Sequence, residues 1–210
     1  MRTDERITRA MGELLRRQGY AATGINALAR AAEAPTGSLY HHFRGGKREI
    51  AAAALRQTGA VHIQLLPLLL DPYEDLAEGI EAAFAQAGDD MRGTGWPNMC
   101  PVGSVTAEIA DVEPELREVS AEVMRDWIDK GTAYFTARGL TPPAAAEFTH
   151  AVLAALEGAF VMARGLRTEA PFHAAGRTLA AHVRTLAREE GAGVREEDAA
   201  VRAEGAVAGS

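Results

Sequence analysis

Cysteine is almost absent from this chain of 210 residues, and long hydrophobic runs are missing. Cys100 alone can form neither an internal disulfide nor a thiolate zinc site, so we expect a reducing compartment and a fold stabilised by buried apolar surface. The longest apolar run, residues 65–70, is far shorter than the roughly 20 residues of a membrane span. The first ten residues carry charges and no apolar signal segment. These absences predict a soluble cytoplasmic protein without membrane association.

Basic residues are outnumbered by acidic ones, yet they concentrate at one end of the chain. The sequence holds 22 lysine and arginine residues against 29 acidic residues, for a formal net charge of −7. Nine of the basic and five of the acidic residues lie within residues 1–50, so this segment carries +4 and the remainder −11. The asymmetry favours contact of the first quarter with a polyanion such as nucleic acid. Chance clustering of charge on a solvated helix face explains it equally well.

Helical spacing of apolar residues runs along nearly the whole chain, and no segment alternates as a strand would. Pro67 is predicted to end the fourth helix, and Asp71 is expected to cap the fifth. The last 20 residues offer only valine as a larger apolar side chain and are predicted to be disordered. The predicted helices occupy about residues 7–18, 23–32, 36–43, 47–66, 72–92, 104–110, 114–138, 142–164 and 171–190.

Residues 23–43 have the layout of a helix-turn-helix motif. Pro35 interrupts the helical pattern, and the helix after it begins with small residues that allow close approach to a DNA groove. Leu39 and Phe43 lie four residues apart and are expected to anchor this helix in a core. A helical hairpin with a solvated face is the alternative interpretation. The residues predicted to face outward are Thr36, Gly37, Ser38, Tyr40 and His41.

The stretch TGINALARAAEAPTGSLYHHFRGGKREI resembles the N-terminal signature of the TetR family of bacterial transcriptional regulators. The first helix with Gly19 and Tyr20 fits the same pattern, so the resemblance covers about residues 3–50. It implies an all-α fold in which a three-helix DNA-binding domain precedes a helical domain for ligand binding and dimerisation. The predicted boundaries are 1–46 for the first domain, here called the head, 47–190 for the second, here called the body, and 191–210 for the tail.

The resemblance also implies roles for single residues of the head. Glu33 stands where the family usually has glycine, which predicts a strained or altered turn, and Thr36 stands where lysine is frequent, which removes one electrostatic contact. Lys47 at the start of a helix would combine its charge with exposed N–H groups to bind an anion. The residues implied near base edges or adjacent backbone are Thr36, Gly37, Ser38 and His41. Those implied at phosphate are Thr23, Tyr40, His42 and Lys47.

Methionine and aromatic residues are spread over four helices and one loop of the body. Such side chains can line a pocket for a lipophilic ligand, although at helical spacing they are more often plain core. The segment from Cys100 to Gly103 resembles the start of the sixth helix in drug-responsive members of the family. Cys100 is expected to be a packing thiol, because no basic cluster surrounds it in the sequence. The candidate ligand-binding residues are Phe84, Trp96, Met99, Thr106, Met124, Trp127, Phe135 and Glu157.

The last two predicted helices are rich in small residues that suit close packing between subunits. They predict a homodimer with a four-helix bundle across a two-fold axis. A monomer that buries these faces on itself is the alternative. The candidate interface residues are Ala151, Ala155, Gly158, Ala159, Leu179 and Val183.

The motif search favours regulation over catalysis. The sequence contains no nucleophile elbow, P-loop or His-Glu-x-x-His motif, and its six histidines lack metal-ligand spacing, so no enzyme, metal or cofactor is predicted. A dimeric adaptor that binds only protein is a third class, but it leaves the cationic head unexplained. The resemblance implies a repressor that a small lipophilic or aromatic effector releases from double-stranded operator DNA, with coupling through the fourth helix.

Overall fold

The computed structural model describes the backbone of residues 1–207 and the side chains of residues 1–188. Within that part of the chain every regular element is a helix, so the all-α prediction is confirmed. The helices are α1 (Thr3–Gln18), α2 (Ile25–Ala31), α3 (Thr36–His42), α4 (Gly46–Leu70), α5 (Leu76–Gly93), α6 (Pro101–Ile109), α7 (Pro114–Ala137), α8 (Pro142–Leu166) and α9 (Ala170–Val207).

The head is built on completely buried aliphatic side chains from α1, α2 and α3. Met11, Leu28 and Leu39 have no exposed surface, and Phe43 packs against the same cluster. Leu39 and Phe43 therefore anchor α3 as predicted. The cluster does not stop at the predicted boundary after residue 46, because it continues through α4, α6 and α7 as far as Trp127. Head and body thus share one continuous core.

Pro67 does not end α4, and that prediction is wrong. The helix continues to Leu70, where the Asp71 amide still donates to the Pro67 carbonyl at 2.9 Å. A proline one turn from a helix end removes a single internal hydrogen bond, so the cost stays local. At the end of the helix, the guanidinium of Arg138 donates to the carbonyls of Leu70 at 3.3 Å and Tyr73 at 2.7 Å.

The starts of α5 and α6 also differ from their predicted positions. Asp75 rather than Asp71 caps α5, with its Oδ1 accepting from the Ala77 amide at 2.8 Å. Because α4 continues to Leu70, residues 71–75 form the turn between α4 and α5. α6 begins at Pro101 because proline suits the first turn of a helix, where its missing N–H would have no partner.

α9 was expected to end near residue 190, but its backbone continues to Val207. Residues 191–207, predicted to be disordered, are therefore helical. Alanine, glutamate and arginine have high helix propensity, so such a segment can extend an established helix without large apolar side chains. Residues 208–210, the end of the predicted tail, lie outside the described residues.

The rest of the body packs around a second cluster that joins α5, α7, α8 and α9. Its centre is a set of phenylalanine rings in edge-to-face contact: Phe135 lies 5.0 Å from Phe148, and Phe160 lies 5.1 Å from Phe172. This geometry is the favoured one for aromatic pairs. The described members of this second cluster lie from Leu66 onward, so none of them belongs to α1, α2 or α3.

Candidate nucleic-acid interface and ligand cavity

α3 presents most of its predicted contact residues to solvent. Thr36 and Gly37 are exposed and Ser38 is half-buried. Half of the Tyr40 surface is accessible, and the exposed rings of His41 and His42 meet edge to face at 5.2 Å. With Leu39 holding the helix from below, this surface is free to enter a DNA groove.

The turn between α2 and α3 keeps the shape that favours glycine, although it contains Glu33. The Ala34 amide donates to the Ala29 carbonyl at 3.0 Å and the Glu33 amide to the Arg30 carbonyl at 3.1 Å, which is the Schellman pattern of a helix C-terminus. Glu33 takes the left-handed conformation that this motif requires, with φ of 49°. The strain predicted from the sequence is therefore present, and it costs about 1–2 kcal/mol for a residue with a Cβ.

Thr23 does not fit its expected role at phosphate. Its side chain is completely buried, and its hydroxyl donates to the Gly19 carbonyl at 2.6 Å. The hydroxyl oxygen also accepts from Gln18 at 3.3 Å. A small polar residue near a helix start is as well suited to holding a loop as to contacting DNA, and here it holds the loop after α1.

Lys47 lies at the first turn of α4, as expected, but its ammonium group rests on an aromatic ring. The Nζ atom lies 4.0 Å from the centre of the Tyr20 ring, a cation–π distance. Burial lowers the pKa of Lys47, while Glu108 and Glu113 raise it. Nearby, Arg48 is paired with Glu115 of α7 at 3.1 Å. The arginines of the head that are exposed and have no ion-pair partner among the described residues are Arg9, Arg17, Arg30 and Arg44.

A cavity of about 390 Å³ opens between α1, α4, α5, α7 and α8. Phe84, Trp127, Phe135 and Glu157 line it, which is half of the predicted ligand set. Its size falls within the range of small-molecule sites. Most of the remaining wall is aliphatic or aromatic: Ile63, Leu65, Leu66, Leu69, Leu70, Ile80, Ala83, Ala87, Val152, Leu153, Leu156 and Phe160.

The other four predicted ligand residues lie outside this wall. Trp96 packs half-buried and Met99 buried on the second cluster, where the loop after α5 covers it. The Thr106 hydroxyl donates to the Val102 carbonyl at 2.7 Å, and Met124 packs on the first cluster. The α4 side of the cavity was not predicted, because it is mainly aliphatic and contains no methionine or large aromatic residue. The signal was the aliphatic stretch of residues 63–70.

Five titratable groups, Arg16 among them, add polarity to the cavity wall. Burial raises the pKa of Glu157, and a hydrogen bond from the Cys100 thiol partly opposes the shift. Burial also raises the pKa of Cys100 well above its ordinary value, which keeps the thiol neutral and fits the expected packing role. Burial and then the charge of Arg16 lower the pKa of His62. Asp90 is exposed at the edge of the cavity.

Trp127 connects the cavity to α4 directly. Its indole N–H donates to the Gly59 carbonyl at 2.9 Å, and its ring lies 6.1 Å from that of His62. At Gly59 the two helices approach so closely that a Cβ would collide with Val123 of α7. Trp127 therefore joins the cavity wall to α4 at a point of close backbone approach.

α6 connects the cavity to the head by a second route. At its C-terminal end, Glu108 accepts hydrogen bonds from the amides of Tyr20 at 2.7 Å and Ala21 at 2.6 Å, in the loop after α1. At its N-terminal end, Cys100 lines the cavity. One helix of nine residues thus reaches both places. The sequence contains no local signal for this contact, because the partners lie 87 and 88 positions apart.

Two family models match this chain. Residues 7–54 match the bacterial regulatory proteins of the tetR family, and residues 77–178 match the C-terminal domain of LmrA/YxaF-like transcriptional regulators. The chain belongs to the TetR family. It is a DNA-binding transcriptional regulator rather than an enzyme, because the matching relatives and the fold are those of regulators.

Individual TetR-family proteins agree with this assignment. The HTH-type transcriptional regulator YxaF of Bacillus subtilis is 33% identical over 123 residues, which are 59% of this chain and 64% of YxaF, just under two thirds of that protein. LmrA of the same organism is 29% identical over 167 residues, 80% of this chain and 89% of LmrA. The solved structure of a regulatory protein TetR from Rhodobacter sphaeroides shares the fold, with a TM-score of 0.73 at 24% identity over 85% of this chain and 97% of that one.

Three of the residues predicted at a TetR-type dimer interface are used within the subunit. Ala159, Leu179 and Val183 are buried in the second cluster, so they are not available to a partner. Small residues on α8 and α9 allow these two helices to pack against each other within the subunit. The spacing of small residues in the sequence does not distinguish such packing from a contact between subunits. Ala151 and Ala155 are half-buried against the same cluster.

The outward face of α8 is apolar and uncovered. A Cβ on Gly158 would meet no atom within 4 Å. Val161, Met162 and Leu166 are 61%, 55% and 62% exposed. Among the described residues, α8 is the helix with the length and apolar composition of a membrane span, yet only 22% of its most apolar window is buried. Exposed apolar surface is typical of interaction sites.

Proposed function

We propose that this chain is a homodimeric cytoplasmic repressor that a small lipophilic effector releases from operator DNA. The observation that carries the proposal is the apolar cavity between α4, α5, α7 and α8, because α4 starts in the head and passes along the cavity wall. One helix therefore touches the DNA-binding domain and the ligand space. The aliphatic and aromatic wall suits a lipophilic ligand.

The DNA contacts proposed here are the exposed positions of α3 and the start of α4. Thr36, Gly37, Ser38 and His41 would meet base edges or adjacent backbone, and Tyr40, His42 and Lys47 would meet phosphate. Their exposure supports these roles, except that Lys47 must leave the Tyr20 ring to reach a phosphate. Thr23 is no longer included, because it is buried.

A second copy of the chain is proposed to cover the outward face of α8. Gly158, Val161, Met162 and Leu166 supply an apolar, sterically open strip. A regulator that reads two half-sites needs two heads on a two-fold axis, which an isologous α8 contact supplies. A membrane is the other possible cover of an apolar helix, and it does not explain a DNA-binding head.

Coupling is proposed to run through both connections described above. A ligand that shifts Trp127 acts on α4 at Gly59, and a ligand that shifts the N-terminal end of α6 acts on the loop after α1 through Glu108. Either movement changes the spacing of the two α3 helices on DNA. A coupling free energy of about 1–3 kcal/mol, or roughly 5- to 150-fold in affinity, is typical of such switches.

The test is binding of promoter DNA from the protein's own locus, measured by fluorescence anisotropy at low salt. We expect specific binding to this DNA, and we expect a lipophilic compound to abolish that binding. Ala83→Trp and Val152→Trp place an indole in the cavity, so they should keep DNA binding and lose the response. Val112→Trp, at an exposed site outside the cavity, is the control and should respond normally. Absence of any specific DNA binding would reject the proposal, and a response that survives in both filled variants would place the effector elsewhere.

A further inference from the structure

We propose that the effector carries a positive charge, as an amine or amidine on an apolar frame, and that the Glu157 carboxylate anchors it. The inference rests on the proposed function, because it names the ligand class of the same cavity. It starts from a carboxylate set among aliphatic and aromatic walls, a feature of this cavity that an apolar ligand alone does not explain.

The structure leaves space for this carboxylate where α8 meets the first turn of α6. The Oε2 atom of Glu157 lies against Gly103, where a Cβ would collide with it. Gly103 is therefore the residue that lets the carboxylate sit against the helix N-terminus. The partial positive charge of a helix N-terminus favours the ionised form of an acid. The carboxylate is thus held in a defined place on the cavity wall.

Glu157 has no ion-pair partner among the described residues. Its polar neighbour is the Cys100 thiol, which burial keeps neutral. Glu157 is half-buried, and the cost of removing its charge from water without a counter-ion raises the pKa of the carboxyl group. A ligand cation would remove this cost by forming the missing pair, so the free protein is arranged to favour a cation over a neutral ligand.

The other charged groups at the cavity do not supply that counter-ion. Arg16 is paired with Glu13 at 2.5 Å. His62 is shifted toward its neutral form by burial and by the charge of Arg16. Asp90 adds a second carboxylate at the edge. The cavity therefore disfavours anions, and aromatic faces such as that of Trp127 add cation–π attraction.

The test compares three probes that share a biphenyl frame and carry a cationic, a neutral or an anionic polar group: 4-phenylbenzylamine, 4-phenylbenzyl alcohol and 4-phenylbenzoate. Binding to the full-length protein is measured by isothermal titration calorimetry at pH 7.5. We expect the amine to bind at least tenfold more tightly than the alcohol, and the benzoate to bind most weakly. Benzoate binding equal to that of the amine, or no measurable binding of the amine, would overturn the inference.

Two variants assign the preference to one residue. Glu157→Gln keeps the shape of the side chain and should bring the amine to the affinity of the alcohol, while the alcohol itself changes less than threefold. Glu147→Gln, at an exposed position of the same helix outside the cavity, is the matched control and should keep the amine preference. An amine preference that survives in Glu157→Gln contradicts the role of this carboxylate.

A parallel measurement of operator release separates this inference from the proposed function. If the amine binds through Glu157 but does not release the protein from DNA, the inference about ligand charge is supported, and the proposal that this ligand causes release is rejected. If the alcohol or the benzoate releases the protein and the amine does not, the proposed function stands and the charge inference is wrong.

Discussion

The head and the body of this protein differ in how completely their side chains fill the interior. In the head, Met11, Leu28 and Leu39 are completely buried and support an exposed reading helix. In the body, packing is interrupted by about 390 Å³ of open space that contains an unpaired acid. A well-packed region holds its shape, whereas a cavity gives up contacts that a ligand can restore. The fully packed head therefore suits a fixed DNA-contact surface, and the open space in the body suits the ligand response proposed above.

The largest expected effect comes from the surface of the body that a second copy is proposed to cover. Gly158→Arg and Met162→Glu should convert the dimer to a monomer, because a buried unpaired charge costs several kcal/mol. Specific DNA binding should be lost with the dimer, since two heads are needed. Sedimentation velocity measures the state. Val112→Glu, at an equally exposed apolar site, should stay dimeric, and dimers in all three variants would place the interface elsewhere.

The next effect tests the connection between the two regions. Glu108→Gln removes the charge from two hydrogen bonds to the loop after α1, each worth roughly 1.5–3 kcal/mol when one partner is ionised. We expect operator binding without effector to change modestly and the effector-induced loss of affinity to shrink by roughly tenfold. Glu115→Gln breaks only an exposed pair with Arg48 and is the control. Unchanged coupling in Glu108→Gln would leave α4 as the route.

The unpaired acid of the body makes stability depend on pH. The folded-state pKa of Glu157 is raised above its ordinary value of 4.5, so the folded protein holds this proton to higher pH than the unfolded chain does. The stability of the wild type should therefore fall relative to Glu157→Gln as pH rises from about 4.5, and the two proteins should converge below it. Each kcal/mol corresponds to about 2–4 °C in melting temperature for a chain of this size.

The check is thermal unfolding of both proteins at pH 4 and pH 7.5. Glu118→Gln is the control with the opposite sign, because a hydrogen bond and charge from Arg125 lower the pKa of that exposed carboxylate. If Glu157→Gln is less stable than the wild type at pH 7.5, the carboxylate is satisfied in the folded protein and the contrast between head and body is weaker than described.

Sequence reasoning reached further into the head than into the body, for a physical reason. The head is made by local rules: Leu39 and Phe43 are four residues apart on one short helix, and the Glu33 turn follows from the helix that precedes it. The cavity depends on how distant helices meet. Nothing near residue 63 or residue 157 in sequence shows that α4 and α8 face the same space. Phe84, Trp127, Phe135 and Glu157 were found because they combine a large or charged side chain with a helical stripe.

The same distinction explains the wrong predictions. Pro67 is a local signal, but a proline one turn from the end of a helix costs only one hydrogen bond and does not end it. Thr23 is a local signal that has two structural meanings. The prediction that Leu179 and other buried residues lie at the dimer interface was wrong for a similar reason. A helical pattern of small or apolar residues indicates that one face of a helix is covered, but it does not indicate whether the same subunit or a partner covers it. Contacts such as that between Glu108 and the loop after α1 join positions 87 and 88 apart and leave no pattern in the chain.

A smaller effect concerns the charge of the head. Lys47→Ala should weaken DNA binding for all sequences and reduce the slope of log affinity against log salt by about one unit, as expected for one phosphate contact. Arg56→Ala, ten residues along α4 from the start and paired with Glu122, should leave the slope unchanged. Anisotropy titrations between low and moderate salt measure it. A slope that Lys47→Ala does not alter would mean that Lys47 only supports Tyr20.

The smallest effect tests whether the head is as fully optimised as its core implies. Glu33→Gly should stabilise the protein by about 0.5–1 kcal/mol. Glycine takes the left-handed conformation without the Cβ penalty, but it also loses more backbone entropy on folding, which cancels part of the gain. Glu33→Gln keeps the Cβ and removes only the charge, so it should leave the unfolding midpoint unchanged. Both variants should bind DNA somewhat more tightly, since each removes a negative charge beside α3. Chemical denaturation measures the change in stability, and fluorescence anisotropy measures the change in DNA affinity. If both variants gain stability equally, the gain comes from removing the charge, and the turn at Glu33 is not strained.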